Sequence, residues 1–143
     1  MALVQMLVTG RAIKRLGEER TAVIGMLAGT LVFAAYIFAR ETWLVYALLV
    51  VSAFQALAYP SLNALLSRMT DASHQGALQG GMASLTSVAL ILSPFALTQS
   101  LAFGAERGFT GGNFVLAAAL ALAALAIVVL RVVPRVRAVP GAV

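Results

Sequence analysis

The sequence predicts an all-α membrane protein with four transmembrane helices, and three observations carry that prediction. Of the 143 residues, 62% are hydrophobic and only 10% charged, with a mean hydropathy of +0.97. A soluble domain carries roughly a quarter charged residues, so this chain lacks the side chains to cover a surface facing water. Four stretches hold no charged residue at all: 21–39, 42–67, 72–105 and 108–130. A bilayer core of ~30 Å needs about 20 apolar residues in a helix, and the four are of that order or longer. Apolar residues in them do not alternate, which excludes barrel strands. Backbone groups in hydrocarbon must be bonded internally, which leaves helix.

Taken in order, residues 1–8 are apolar but too short to cross. Their positive charges follow rather than precede them, so they do not read as a cleavable signal peptide. A basic segment, 11–20, leads into the first run, where Gly25 and Gly29 stand four apart on one helix face. Small residues at this spacing let helix backbones approach closely in lipid. The second run exceeds a perpendicular crossing and should tilt. Trp43 at its start reads as an interfacial anchor, and Pro60 should kink or loosen its far third. The stretch SHQGALQGGMASLTS, from Ser73 to Ser87, opens the third run. Asp71 or Ser73 is the expected cap for its free amides. Gly76, Gly80 and Ser84 share a face that Ser87 continues, a second seam for close helix packing. Pro94 should kink this helix near its middle. Gly111 and Gly112 read as a loop, and the alanine-rich last run as an outer packing helix.

Eight of the ten basic residues sort to one side: Arg11, Lys14, Arg15, Arg20, Arg68, Arg131, Arg135 and Arg137. The other two, Arg40 and Arg107, each sit beside a glutamate in the alternate loops. By the positive-inside rule both chain ends and the 68–74 loop are expected in the cytoplasm, with the chain multi-pass in the cell (inner) membrane.

Several function classes are excluded. The net charge of +5 lies at span ends rather than on an aromatic-bearing amphipathic face, which argues against nucleic acid. There is no cysteine, so thiolate chemistry and cysteine metal sites are out. His74, the single histidine, has no second ligand and no nucleophile partner, and reads as a solvated loop residue. Glu18, Glu19, Glu41, Asp71 and Glu106 all fall outside the charge-free runs, so any proton relay lies outside this chain or does not exist. With no acid, base, nucleophile or phosphate cradle in the bilayer zone, no enzyme, no metal and no cofactor is expected. The polar residues inside the runs are the candidates. Ser52 and Gln55 lie near the middle of the second run, with Tyr59 and Asn63 following on about the same face; Thr86, Ser87 and Ser93 lie near the middle of the third. They serve either interhelical hydrogen bonding or a substrate path.

The segment GRAIKRLGEE, Gly10 to Glu19, resembles the cytoplasmic loop signature Gly-x-x-x-Asp-Arg-x-Gly-Arg-Arg of the major facilitator superfamily. Gly10, Arg15 and Gly17 match it; Lys14 stands at the acidic place and Glu18-Glu19 at the basic pair. The longer GRAIKRLGEERTAV, with Trp43-Leu44-Val45, Pro60-x-Leu62, SHQGALQG, SLTS and Ser93-Pro94, resembles the tetracycline/proton antiporter branch. The resemblance implies the last four helices of a twelve-helix fold, with 1–10 ending a preceding helix, 11–20 a cytoplasmic loop, 21–134 the four-helix segment and 135–143 a cytoplasmic tail. It implies a drug or tetracycline-type exporter coupled to protons and working by alternating access. Its partners would be membrane lipid, the missing amino-terminal part, a small-molecule substrate and protons. The second and third runs would line the cavity, with Ser52, Gln55, Tyr59, Thr86 and Ser87 on the path, and the first and last would be peripheral. Arg15 is expected to pair with a helix end or a carboxylate. Where that branch has an acidic residue in the first run, this chain reads Ala28-Gly29-Thr30, which leaves the substrate open between a tetracycline and another compound. The competing reading is a truncated, non-transporting four-helix membrane protein. A small exporter acting as a dimer fits less well, for it would need a membrane-embedded glutamate.

Overall fold

A computed structural model describes residues 13–137. Gly10, Arg11 and the apolar 1–8 stretch lie outside the described residues. Residues 13–16 are helical and lead through Gly17 into α1 (Glu18–Tyr36). Next come α2 (Thr42–Gln55), α3 (Ala58–Arg68), a 3₁₀ turn (Ala72–His74) and the long α4 (Gln75–Ala105). The last helix has three parts: α5 (Gly112–Ile127), a π-helical turn (Val128–Val132) and α6 (Val133–Arg137). Among the described residues there is no strand.

Three helices are long and apolar enough to cross a membrane: Thr42–Arg68, Ala72–Ala105 and Gly112–Val136. The first expected span forms a helix that falls outside that group. It begins at Glu18, taking Glu18, Glu19 and Arg20 into its first turn, and ends at Tyr36 short of the expected Ala39. The two acidic residues suit the positive end of the helix dipole, which explains the early start.

Of the four expected spans this is the least apolar, and it is also the most enclosed. Helix α1 packs against α2, α3 and α5, and buries Thr21, Ala22, Gly25, Gly29, Thr30 and Val32. Tyr36 stacks on Phe114 with ring centroids 5.1 Å apart, tying the far end of α1 to the start of α5. At the opposite end Ala22, Leu65 and Val136 form a small core, joining α1 and α3 to α6. Helix α4 packs along α5, is tied near its start to the end of α3, and is otherwise mostly exposed.

The two prolines behave differently. Pro60 has no N–H for the Ala56 carbonyl and its ring crowds that carbonyl. The helix breaks there, between Gln55 and Ala58, as the sequence predicted. Pro94 interrupts nothing: α4 runs unbroken through it for 31 residues. At Pro60 the break coincides with a close neighbour, since α1 packs its Gly25 against the backbone of Ala58. Pro94 is exposed, and the hydrogen-bond ladder on either side keeps the helix continuous.

Two further expectations give way. The Gly111-Gly112 pair is more than a loop. A methyl at Gly112 would collide with the Ser100 carbonyl oxygen, and one at Gly104 would stand 2.5 Å from that of Phe109. The α4–α5 corner therefore closes backbone on backbone. Gly108 ends α4 with φ +73, while Phe109 N–H donates to Gly104 O (2.9 Å) and Gly108 N–H to Ala105 O (3.0 Å), the Schellman pattern. Neither Asp71 nor Ser73 caps α4. The 3₁₀ turn puts His74 in the cap position, and the Ser73 hydroxyl instead lies 3.1 Å from His74 Nδ1.

Candidate functional site

Two groups of polar residues stand out. The first is in the middle of the span broken at Pro60. Gln55 ends α2 and is half-buried, and its side chain lies flat over Gly29 of α1. A methyl at Gly29 would come within 3.0 Å of Gln55 Cγ and Cδ. The glycine thus makes the space that the glutamine fills. Among the described residues the Gln55 amide has no hydrogen bond, although interhelical bonding was one of the two readings of this residue. A polar group partly removed from water without a partner costs roughly 1–3 kcal/mol. Ser52, one turn earlier, donates to Leu49 O at 2.7 Å. Tyr59, just past the break, is 61% exposed.

The other path candidates sit on α4. Thr86 donates to Met82 O (2.8 Å) and Ser87 to Ala83 O (2.9 Å). Ser84 likewise donates to Gly80 O (2.9 Å). Each hydroxyl satisfies its own proton on the preceding turn, the usual resort of serine and threonine in apolar helices. All three residues are exposed, and no hydrogen bond joins them to Gln55. The sequence-predicted path residues therefore lie on two spans, with no hydrogen bond joining them at mid-span among the described residues.

The second group is at the other end, where α1 starts and α3 meets α4. Gly17 has φ 84 and ψ 160, a region essentially restricted to glycine. Any other residue there would strain the bend between residues 13–16 and α1. This gives the loop motif's Gly17 its physical reason. Thr21 donates its hydroxyl to Gly17 O at 2.7 Å, securing the bend. Arg15 was expected to pair with a helix end or a carboxylate; it is exposed and makes no ion pair among the described residues. Arg68, at the end of α3, takes that role: its Nη2 lies 3.1 Å from Glu18 Oε1. Only 11% of the Glu18 side chain is exposed, and its Oε2 is buried without a hydrogen bond.

Beside this pair, Gln75 holds α3 and α4 together. Its Nε2 donates to Ser67 O (2.7 Å) and Thr70 O (2.9 Å), and its Oε1 accepts from the Ser67 hydroxyl (3.0 Å). One turn on, Gln79 Nε2 donates to Asn63 Oδ1 (3.2 Å). The last carbonyls of a helix lack internal partners, and here a side chain of the following helix supplies them. Sequence reasoning missed Gln75 because two of its three bonds go to backbone carbonyls, which leave no spacing signal.

The comparisons with known proteins fit this architecture. A family model described as Major Facilitator Superfamily matches residues 1–142. The chain belongs to the major facilitator superfamily. Among its superfamily relatives, it is 38% identical over 124 residues to the Tetracycline resistance protein, class C, of Escherichia coli, a match covering 87% of this chain and 31% of that protein. It is also 38% identical over 110 residues to the class G protein of Vibrio anguillarum, covering 76% and 28%. A more distant likeness is to the Hippocampus abundant transcript 1 protein of Mus musculus, 29% over 92 residues, covering 64% and 19%. The chain thus spans about a third of the length of the first of these relatives. No solved structure matches. Within the superfamily's twelve-helix fold this chain is a segment, and its apolar helices make it an integral membrane segment.

Proposed function

We propose that this chain supplies part of the carboxy-terminal half of a drug exporter of the tetracycline-resistance type, which moves its substrate by alternating access and couples that movement to protons. The spans here contain no carboxylate, so the coupling groups belong to the rest of the transporter. Both chain ends and the 68–74 loop face the cytoplasm in this reading, supported by the bias of eight basic residues against two. Lipid, the other transporter helices, substrate and protons are its partners.

The observation that carries the reading is Gln55. It is half-buried at a helix break in the middle of a membrane-crossing span, and its amide has no partner among the described residues. Ser52, Tyr59, Thr86 and Ser87 extend the polar surface on α2, α3 and α4. The groups left unpaired here are those a substrate would engage, and hydrogen-bonding sites discriminate strongly between compounds that can and cannot pair with them. The test is Gln55→Leu in the complete transporter. We expect membrane abundance to be unchanged and the profile of exported compounds to shift, with about tenfold loss for at least one. Unchanged transport of every compound would overturn the role of Gln55.

A further inference from the structure

A groove of about 320 Å³ runs between the start of α1 and the last helix, lined by Glu19, Arg20, Val23, Ile24, Val129 and Val133. Its origin is traceable to sequence. Pro134 offers no N–H to the Leu130 carbonyl, and the helix slips by one residue ahead of it. The result is the π turn Val128–Val132, closed by Val133 N–H on Val128 O. Single π turns of this kind concentrate at functional sites. Here the turn carries Val129 onto the groove while Val132 and Val136 stay on the side packed against Ala22 and Leu65.

The walls are four aliphatic side chains, and the charge is confined to one end. Arg20 is exposed and makes no ion pair among the described residues. Of the carboxylates at this end, Glu18 is paired with Arg68. From Arg20 to Ile24 the groove reaches about one helical turn, ~6 Å, from the charged end into the apolar span. Polar anchor outside and aliphatic slot inside match a phospholipid, and basic pockets between transmembrane helices are known to take anionic headgroups.

The geometry points to a binding site for one anionic phospholipid, with an acyl chain in the slot between Ile24 and Val129 and its phosphate on Arg20. The site rests on the membrane reading given above, in which α1 and the last helix face lipid, but not on any particular substrate. It differs from general lipid contact in holding one molecule at a fixed place and in preferring a negative headgroup.

The test uses the complete transporter, purified in detergent, stripped of lipid and titrated with phosphatidylglycerol or phosphatidylcholine under native mass spectrometry. The unmodified protein should retain one phosphatidylglycerol at least about fivefold more tightly than phosphatidylcholine, the weight of one basic residue near an anionic headgroup. Arg20→Gln should abolish that preference. Val129→Trp, which fills an already exposed position, should lose both lipids; Ile24→Trp repeats the test from the opposite wall should Val129→Trp not fold. Inorganic phosphate should not displace the bound lipid. Equal retention of the two lipids, an unaltered preference in Arg20→Gln, retention by both tryptophan variants, or displacement by phosphate would each overturn the site. A protein that stays monodisperse in detergent while failing these tests leaves the transporter reading standing.

Discussion

Helices α1 and α4 carry glycines at the same spacing and meet opposite surroundings. A methyl at Gly25 would stand 2.6 Å from the Ala58 nitrogen, and one at Gly29 would stand 3.0 Å from Gln55. A methyl at Gly76 or Gly80 would meet nothing within 4 Å. Spacing of small residues therefore tells which helix face permits close approach and says nothing of where the partner lies. For α1 the partner is the next helix in the chain. For α4 it is not among the described residues, and the chain covers only about a third of its tetracycline-resistance relatives. The closed seam is a fixed one built around a helix break, whereas the open one meets nothing among the described residues.

The largest effect should come from filling the closed seam. Gly25→Val drives a side chain into the backbone of Ala58, which cannot rotate away, at a cost of about 3 kcal/mol. In detergent the complete transporter should lose several degrees of thermal stability, and its membrane abundance should drop several-fold. Gly80→Val should leave abundance within about twofold and reduce transport instead, since no described residue opposes it. If abundance fell as steeply for Gly80→Val as for Gly25→Val, the α4 face would be a static seam like that of α1.

A middle-sized effect should follow from releasing the end of α4. Gln75 is the strongest polar link between α4 and α3, with three hydrogen bonds. Gln75→Leu leaves Ser67 O and Thr70 O to find water, and should cost roughly 1–2 kcal/mol because that end is near the surface. The measurement is amide hydrogen exchange across residues 66–80 in the complete transporter, which should quicken about tenfold there and remain unchanged in α1. Uniform exchange changes in both helices would mean that Gln75 supports the whole bundle, and the contrast between a locked α1 and a lightly tethered α4 would fail.

What could be read from sequence follows from how local the cause is. The charge-free runs gave the helices, and Pro60 gave the break, because a missing N–H acts on a carbonyl four residues back. The unbroken passage through Pro94 was not legible: it depends on the hydrogen-bond ladder before and after the proline, not on the proline itself. Gly112 looked like a loop residue since its function, contact with Ser100 O, is a meeting of distant backbone atoms. The first helix departs from its expected bounds for a related reason. Its charges, Glu18 and Glu19, are tolerated by the helix end and by Arg68, neither of which appears in a count of apolar residues. At the candidate site, Gln55 was legible as an unusual mid-span amide, but its bed on Gly29 was not, as the two residues are separated by a turn and most of two helices.

The smallest effect should come from Arg68→Gln, which tests how α1 is joined to α3 at its charged end. The pair with Glu18 is lopsided: the arginine is 66% exposed and the carboxylate only 11%. An exposed ion pair contributes roughly 0–1 kcal/mol, whereas a half-enclosed carboxylate left alone is costly to keep charged. Since Glu18 also sits in the first turn of α1, where the helix dipole favours negative charge, part of that cost is offset, and a loss of about 0.5–1 kcal/mol is expected for Arg68→Gln. Glu18→Gln removes the enclosed charge itself and should cost no more than the arginine change, and the double variant should match the worse single one. Thermal melts of the three proteins decide it. Fully additive losses would mean that the two side chains act separately, and that the small core of Ala22, Leu65 and Val136 alone holds this end of α1 against α3.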